Sequence, residues 1–210
     1  LFGGAIATDG SVTVWQSFFF GNHAPAGGAI AVSFGDSLSL EKSALFNNTG
    51  TGEAGASALQ IYDGDVHVLN TTFAHNDALD AGATVMIDVG DLVLEHATLA
   101  LNDSANGANG LYVGPSANAT SYSTMYSNAA NDCDVTGGWT VDTSMDETGT
   151  CPGAFVAASQ PVGACTNNND YQSFCDTSDG HGIATCYASE DQLGTARHPT
   201  DCWIGAFEAP

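Results

Sequence analysis

FFFGNHAPAGGAI, residues 18–30, sets three phenylalanines, an asparagine and a Gly-Gly-Ala-Ile run side by side in a strongly acidic chain. Related stretches follow it: LFNNTGTGEAGASAL (45–59), FAHNDALDAGATVMI (73–87) and LALNDSANGANGLYV (99–113). The stretch is one copy of a repeat. Its fixed points are Asn22, Asn48, Asn76, Asn102 and Asn128, spaced by 26, 28, 26 and 26 residues. Three residues before each stands a large apolar side chain: Phe19, Leu45, Phe73, Leu99 and Met125. Two before that stands a small or hydroxyl residue: Ser17, Ser43, Thr71, Ala97 and Ser123.

Upstream of these points lie apolar pairs, Val12 and Val14, Leu38 and Leu40, Val66 and Val68, Leu92 and Leu94. A Gly/Ala-rich segment opens each copy and carries Ile6, Ile30, Leu59, Val85 or Leu111. Each unit therefore holds three short segments of period-two alternation separated by Gly, Asp and Asn turns, a strand signal without helical periodicity. A fixed period of this length marks a solenoid. Three strands per turn with one apolar row facing inward predict an all-β, right-handed parallel β-helix of about five coils, each adding about 4.8 Å. The expected division is 1–128 for the repeats and 129–210 for a cysteine-containing C-terminal cap and closing segment.

Stacking brings equivalent residues into line. An asparagine at each inward turn can bond the backbone and the asparagines of neighbouring coils, so Asn22, Asn48, Asn76, Asn102 and Asn128 are expected to form a structural ladder. Asparagine also tolerates the left-handed conformation of a sharp corner.

Lys42 and Arg197 are the two basic residues against 24 acidic ones, a net charge of −22. Such a surface repels nucleic acid, which is held through Lys and Arg clusters. No apolar run is long enough to span a bilayer as a helix. No basic segment precedes an apolar one at the start, so the expectation is a mature or excised chain. All six cysteines, Cys133, Cys151, Cys165, Cys175, Cys186 and Cys202, fall after residue 132. An even count in one irregular region reads as three disulfides and an extracellular or cell-surface location. Six cysteines allow 15 connectivities, and spacing does not choose among them.

The GGAI run (27–30) and the Phe73-to-Asn76 spacing resemble repeats of polymorphic outer-membrane proteins, which are right-handed β-helices. EDQLGTARHPTDCWIGAFEAP (190–210) resembles the closing segment of the bacterial choice-of-anchor Q family. Asp191, Gln192, Gly194, Arg197, Cys202, Ile204, Gly205, Ala206 and Glu208 match that pattern, and Trp203 departs from it. The resemblance implies a secreted or surface-attached β-helix and does not define an activity.

A β-helix lyase needs a basic residue to abstract a proton, and Lys42 and Arg197 suit that role poorly: one stands beside Glu41, the other within the closing pattern. A hydrolase needs converging carboxylates. The second strand of each copy offers Glu41, Asp65, His67, Asp91 and Glu95 as outward groups. No catalytic residue is assigned, and the chain is read as leaning away from enzyme chemistry. Asp9, Asp36, Asp65 and Asp91 fall at the turn before that strand, spaced by 27, 29 and 26 residues. Four stacked carboxylates would repel, and calcium would relieve the repulsion, so these four are the candidate metal ligands. The competing reading is turn chemistry at exposed corners.

Trp15, Phe18 and Phe20 project outward if the alternation holds, forming a candidate assembly face. The expected function is an extracellular surface, adhesion or appendage-forming module without catalysis. Its partners would be further copies, stacked into a fibre, or neighbouring domains of a longer chain, and cell-surface glycans. The alternative is a glycan-active hydrolase or a glycan-binding β-helix.

Overall fold

The computed structural model describes residues 2–8, 10–128, 130–156, 162–164, 174–176, 181–184, 189–194, 196–197 and 202–203. All described regular structure is β, without a helix. Coil one holds β1 (Ile6–Ala7), β2 (Ser11–Trp15), β3 (Phe18–Phe20) and β4 (His23–Ala24). Coil two repeats them as β5 (Ile30–Val32), β6 (Asp36–Glu41), β7 (Ala44–Phe46) and β8 (Thr49–Gly50). Coil three does so as β9 (Leu59–Ile61), β10 (Gly64–Leu69), β11 (Thr72–Ala74) and β12 (Asp77–Ala78). In coil four the first two strands fuse into β13 (Val85–Glu95), followed by β14 (Thr98–Ala100) and β15 (Asp103–Ser104). Coil five has β16 (Leu111–Tyr122) and β17 (Met125–Ser127).

Every pairing among these strands is parallel, and strands stack on their equivalents one coil away. The chain is thus a parallel β-solenoid of about five turns. A fourth ladder of two-residue strands, β4–β8–β12–β15, accompanies the three expected ones. Close approach of the coils relies on missing side chains: a Cβ on Gly82 would lie 2.1 Å from the Gly55 carbonyl oxygen, and one on Gly107 2.0 Å from that of Gly82.

The ladders continue past residue 128, where the repeats were expected to end. β18 (Cys133–Val135) and β19 (Gly138–Asp142) stack on β16, β20 (Met145–Asp146) on β17, and β21 (Phe155–Val156) on β20. Cys133 and Cys151 form a disulfide inside this last coil and belong to the hydrophobic core. The bonding of Cys165, Cys175, Cys186 and Cys202 lies outside the described residues.

The core is one apolar column set, with Ile30, Leu59, Val85 and Leu111 on the first ladder and Leu38, Leu40, Val66, Val68, Leu92 and Leu94 on the second. Coil five departs from the uniform spacing. A register shift follows Ile87, where β16 carries Gly114 and Pro115. Pro cannot donate to a ladder and is accommodated at such irregularities. The extra residue moves Tyr126, not Met125, opposite Leu99. It also puts Thr124 in place of the expected Ser123 on the hydroxyl column: the Ala97 N–H donates to Thr124 Oγ1 at 3.4 Å.

The corners also differ from expectation. The ladder asparagines are not left-handed; the residue before each of the first four is, with φ of 65° at Gly21, 53° at Asn47, 54° at His75 and 55° at Leu101. The left-handed residue turns the backbone, which leaves the following asparagine free to point inward.

Candidate functional surfaces

The expected ladder residues are brought together. Asn48, Asn76, Asn102 and Asn128 are buried, while Asn22 at the open end is half-buried. Each Oδ1 from Asn48 to Asn128 accepts two bonds, from the backbone N–H and the Nδ2 of the asparagine one coil earlier, all at 2.9–3.0 Å. Nδ2 of Asn48, Asn76 and Asn102 also donates to Phe19, Leu45 and Phe73 carbonyls. The ladder ends on a residue that spacing gave no reason to single out. Asn128 N–H and Nδ2 donate to Asp132 Oδ1 at 2.9 and 2.7 Å.

Asp132 and Asp146 form a buried carboxyl pair. Burial, reinforced by the hydrogen bond to Asp146, pushes Asp132 up to about 8. Burial also pulls Asp146 upward. Its bonds from Asp132, the Cys151 N–H and the Thr148 N–H and hydroxyl outweigh that and hold it below the ordinary carboxylate value. The pair therefore shares one proton, carried on Asp132.

The candidate calcium column does not form. Asp65 pairs in register with Ser37 and Asp91, whereas Asp36 pairs with Gly64. One residue of slip puts a side chain on the opposite face of a strand. Asp36 serves the turn instead, accepting from Thr8 Oγ1 at 2.7 Å and the Gly10 N–H at 2.8 Å. Asp9 lies outside the described residues. No group of three or more His, Cys, Asp or Glu side chains suited to a metal ion occurs among the described residues.

Asp65 and Asp91 instead line an open trough of about 320 Å³ across β2, β6, β10 and β13. Its columns read Ser11, Ser37, Asp65, Asp91 and Thr13, Ser39, His67, Val93. His67 Nε2 lies 3.1 Å from Glu95, and this hydrogen bond raises the imidazole above its ordinary value against the opposing effect of burial. Ser39 donates to Glu41 at 2.9 Å, and Asn118 Nδ2 to Asp91 at 2.9 Å. The trough is a row of hydroxyls and carboxylates around one cation-prone imidazole. That donor and acceptor set suits a hydroxyl-rich ligand.

Trp15, Phe18 and Phe20 are 57, 44 and 55% exposed on coil one. Phe18 heads an outward column whose later members, Ala44, Thr72, Thr98, Met125 and Met145, are all buried. The Phe20 ring stacks on Phe46 at 6.1 Å, and Phe46 lies 4.9 Å from the His75 ring. By contrast, the outward Ala31, Gln60 and Met86 of the first ladder are buried, so that face is covered on coils two to four.

Part of the cover on the third ladder is the segment 189–197, and both basic residues serve it. Lys42 Nζ pairs with Glu190 at 2.6 Å. Arg197 Nη2 donates to Asn70 Oδ1 at 3.0 Å, and Asn70 Nδ2 to the Glu190 carbonyl at 2.7 Å. Gln192 accepts from Thr72 Oγ1 at 2.7 Å and donates to the Ser43 carbonyl at 2.9 Å. Thus Gln192 and Arg197 of the closing pattern anchor it to coils two and three. Gln192→Ala takes the acceptor from the buried Thr72 hydroxyl, while the Ser43 carbonyl keeps the Thr72 N–H, and is expected to lower stability by about 1–2 kcal/mol. Lys42→Met breaks a half-exposed pair worth no more than about 1 kcal/mol. Urea midpoints of the two variants, with proteolytic cleavage near residue 190, check this order.

Comparison with known proteins returns no match to a family model, a curated protein or a solved structure. Among the described residues no helix is long and apolar enough to cross a membrane.

Proposed function

We propose that the chain is an extracellular surface or adhesion module that works as a rigid, acidic scaffold and recognises a partner through coil one, without bond-making chemistry. The observation that carries this reading is the aromatic trio Trp15, Phe18 and Phe20: the third-ladder columns headed by Phe18 and Phe20 are covered from coil two onward, and these two rings, with Trp15 beside them on the second ladder, are left bare. Exposed apolar patches on an otherwise charged surface mark interaction sites. The disulfide Cys133–Cys151 and the resemblance of residues 190–210 to the choice-of-anchor Q closing segment support an oxidising, cell-surface setting. The test is binding of labelled protein to the cells that make it, compared with the Trp15→Ser, Phe18→Ser, Phe20→Ser triple variant. These side chains lie outside the core, so the variant is expected to melt within a few degrees of the parent and to bind at least about tenfold more weakly. Equal binding contradicts the reading.

The trough supports a second reading, a glycan-binding or glycan-hydrolysing β-helix. A screen against plant, algal and bacterial polysaccharides separates the two. Binding lost in the Asp65→Asn, Asp91→Asn double variant supports a glycan site at the trough, and release of reducing ends supports hydrolysis.

A further inference from the structure

The corner that leads from the first ladder into the trough carries an aromatic pair. Phe34 stands between β5 and β6 on coil two, and Tyr62 between β9 and β10 on coil three. Both coils have a neighbour on each side, so the exposure of these rings belongs to the flank of the solenoid. Phe34 is 78% exposed, the barest large apolar side chain among the described residues. Its ring stacks on Tyr62 at 6.2 Å, with 29° between the planes. Three residues after each ring comes the first trough column, Ser37 after Phe34 and Asp65 after Tyr62.

The trough's acids differ in what they hold. Asp91 accepts from Asn118, Glu41 from Ser39, and Glu95 is bonded to His67. Asp65 lies in register between Ser37 and Asp91 and is exposed, and no hydrogen bond or ion pair to it occurs among the described residues. Four carboxylates on this face thus stand against one imidazole. Lys42 and Arg197 are engaged elsewhere, with Glu190 and Asn70.

We infer that the trough and its aromatic corner bind an amine-bearing glycan, a polymer of unsubstituted hexosamine units lying along the columns; the inference rests on the glycan reading of the trough given above. Each part of the surface fits one part of that ligand. The Phe34 and Tyr62 rings offer an apolar platform to the C–H face of a sugar ring. The hydroxyls of Ser37, Ser39 and Thr13 exchange hydrogen bonds with sugar hydroxyls. Asp65, with Asp91 one coil further, gives an ammonium group a charge-assisted partner. Coils repeat at about 4.8 Å, so an extended polymer along the axis meets one member of each column per coil. A uronate polymer brings carboxylates against carboxylates and is repelled. A lysine-rich peptide satisfies the charge but leaves the hydroxyl rows without their match.

The probes are a glucosamine hexamer, its fully N-acetylated counterpart and hexalysine, titrated by calorimetry into the intact chain at physiological salt and mildly acidic pH, where the sugar amines carry protons. The glucosamine hexamer is expected to bind at least about tenfold more tightly than either of the others. Asp65→Asn should weaken the glucosamine hexamer by about tenfold and leave the N-acetylated one nearly unchanged. Phe34→Ala should weaken both hexamers by a similar factor, since stacking does not depend on the amine. Both substitutions fall on exposed side chains, and unchanged melting temperatures show that the fold is kept. Equal binding of the two hexamers, lost in the Asp65→Asn, Asp91→Asn double variant, overturns the amine preference and leaves the glycan reading standing. Hexalysine binding as tightly as the glucosamine hexamer overturns the inference in favour of a peptide or unselective cation surface. Binding of neither hexamer overturns it together with the glycan reading.

Discussion

Asn76→Ala is expected to lower unfolding free energy by about 4 kcal/mol, whereas Asn22→Ala lowers it by less than about 1 kcal/mol. The two residues occupy the same place in their coils and differ in what their side chains satisfy. Asn76 Oδ1 accepts from the Asn48 N–H and Nδ2, and Asn76 Nδ2 donates to the Leu45 carbonyl and Asn102 Oδ1. Truncation strands the Asn48 N–H, leaves Asn48 Nδ2 with the Phe19 carbonyl alone and takes a donor from the Leu45 carbonyl, in a site where each buried unsatisfied group costs about 1–3 kcal/mol. Asn102 Oδ1 keeps the Asn76 N–H. The Asn22 side chain gives one bond, to Asn48 Oδ1, which retains the Asn22 N–H when that bond is lost. Urea midpoints at constant m-value check the pair.

The second large effect concerns the carboxyl pair at the other end. Asp132 is raised from its ordinary 3.8 to about 8, so between those values the folded chain holds a proton that the unfolded chain has released. Stability is therefore expected to fall as pH rises from about 4 to about 8, and this contribution levels off above that. Asp146 is depressed, so its contribution has the opposite sense: it is present above 3.8 and lost as pH falls through its lower folded value. Asp132→Asn mimics the protonated acid, since Oδ1 can still accept from Asn128 and an amide N–H can face Asp146. It is expected to flatten the decline and to raise the melting temperature at pH 8–9. Asp146→Asn puts an amide nitrogen where both oxygens now accept, from Thr148 and Cys151. It is expected to destabilise by about 3 kcal/mol. Melting temperatures of parent and both variants from pH 4 to 9 check the signs. Equal slopes for parent and Asp132→Asn contradict the shared proton.

The repeat made the architecture readable because stacking forces equal residues into equal places. Asn22 to Asn128 carry one job at one spacing, and alternation marks which neighbours face the core. Reading failed where the spacing slipped by one. Asp36 is one residue out of line with Asp65, which dissolves the calcium column. Tyr126, displaced by the insertion at Gly114 and Pro115, takes the core place expected for Met125. Asp132 closes the ladder four residues beyond Asn128, far from the next repeat distance, so no periodic signal points to it. The role of Gln192 and Arg197 depends on contacts more than 100 residues away, which no local pattern encodes. The bare state of Phe18 and Phe20 was legible from alternation. The cover over the rest of their face was not, because it comes from another part of the chain.

The stacked column is the claim on which fold, ladder and trough all rest. Its most direct test is hydrogen exchange of the asparagine side-chain amides, followed by NMR. The expected result is that Nδ2 protons of Asn48, Asn76, Asn102 and Asn128 exchange only on global unfolding, while those of exposed Asn106 exchange at once. Rapid exchange at the four ladder positions contradicts the account.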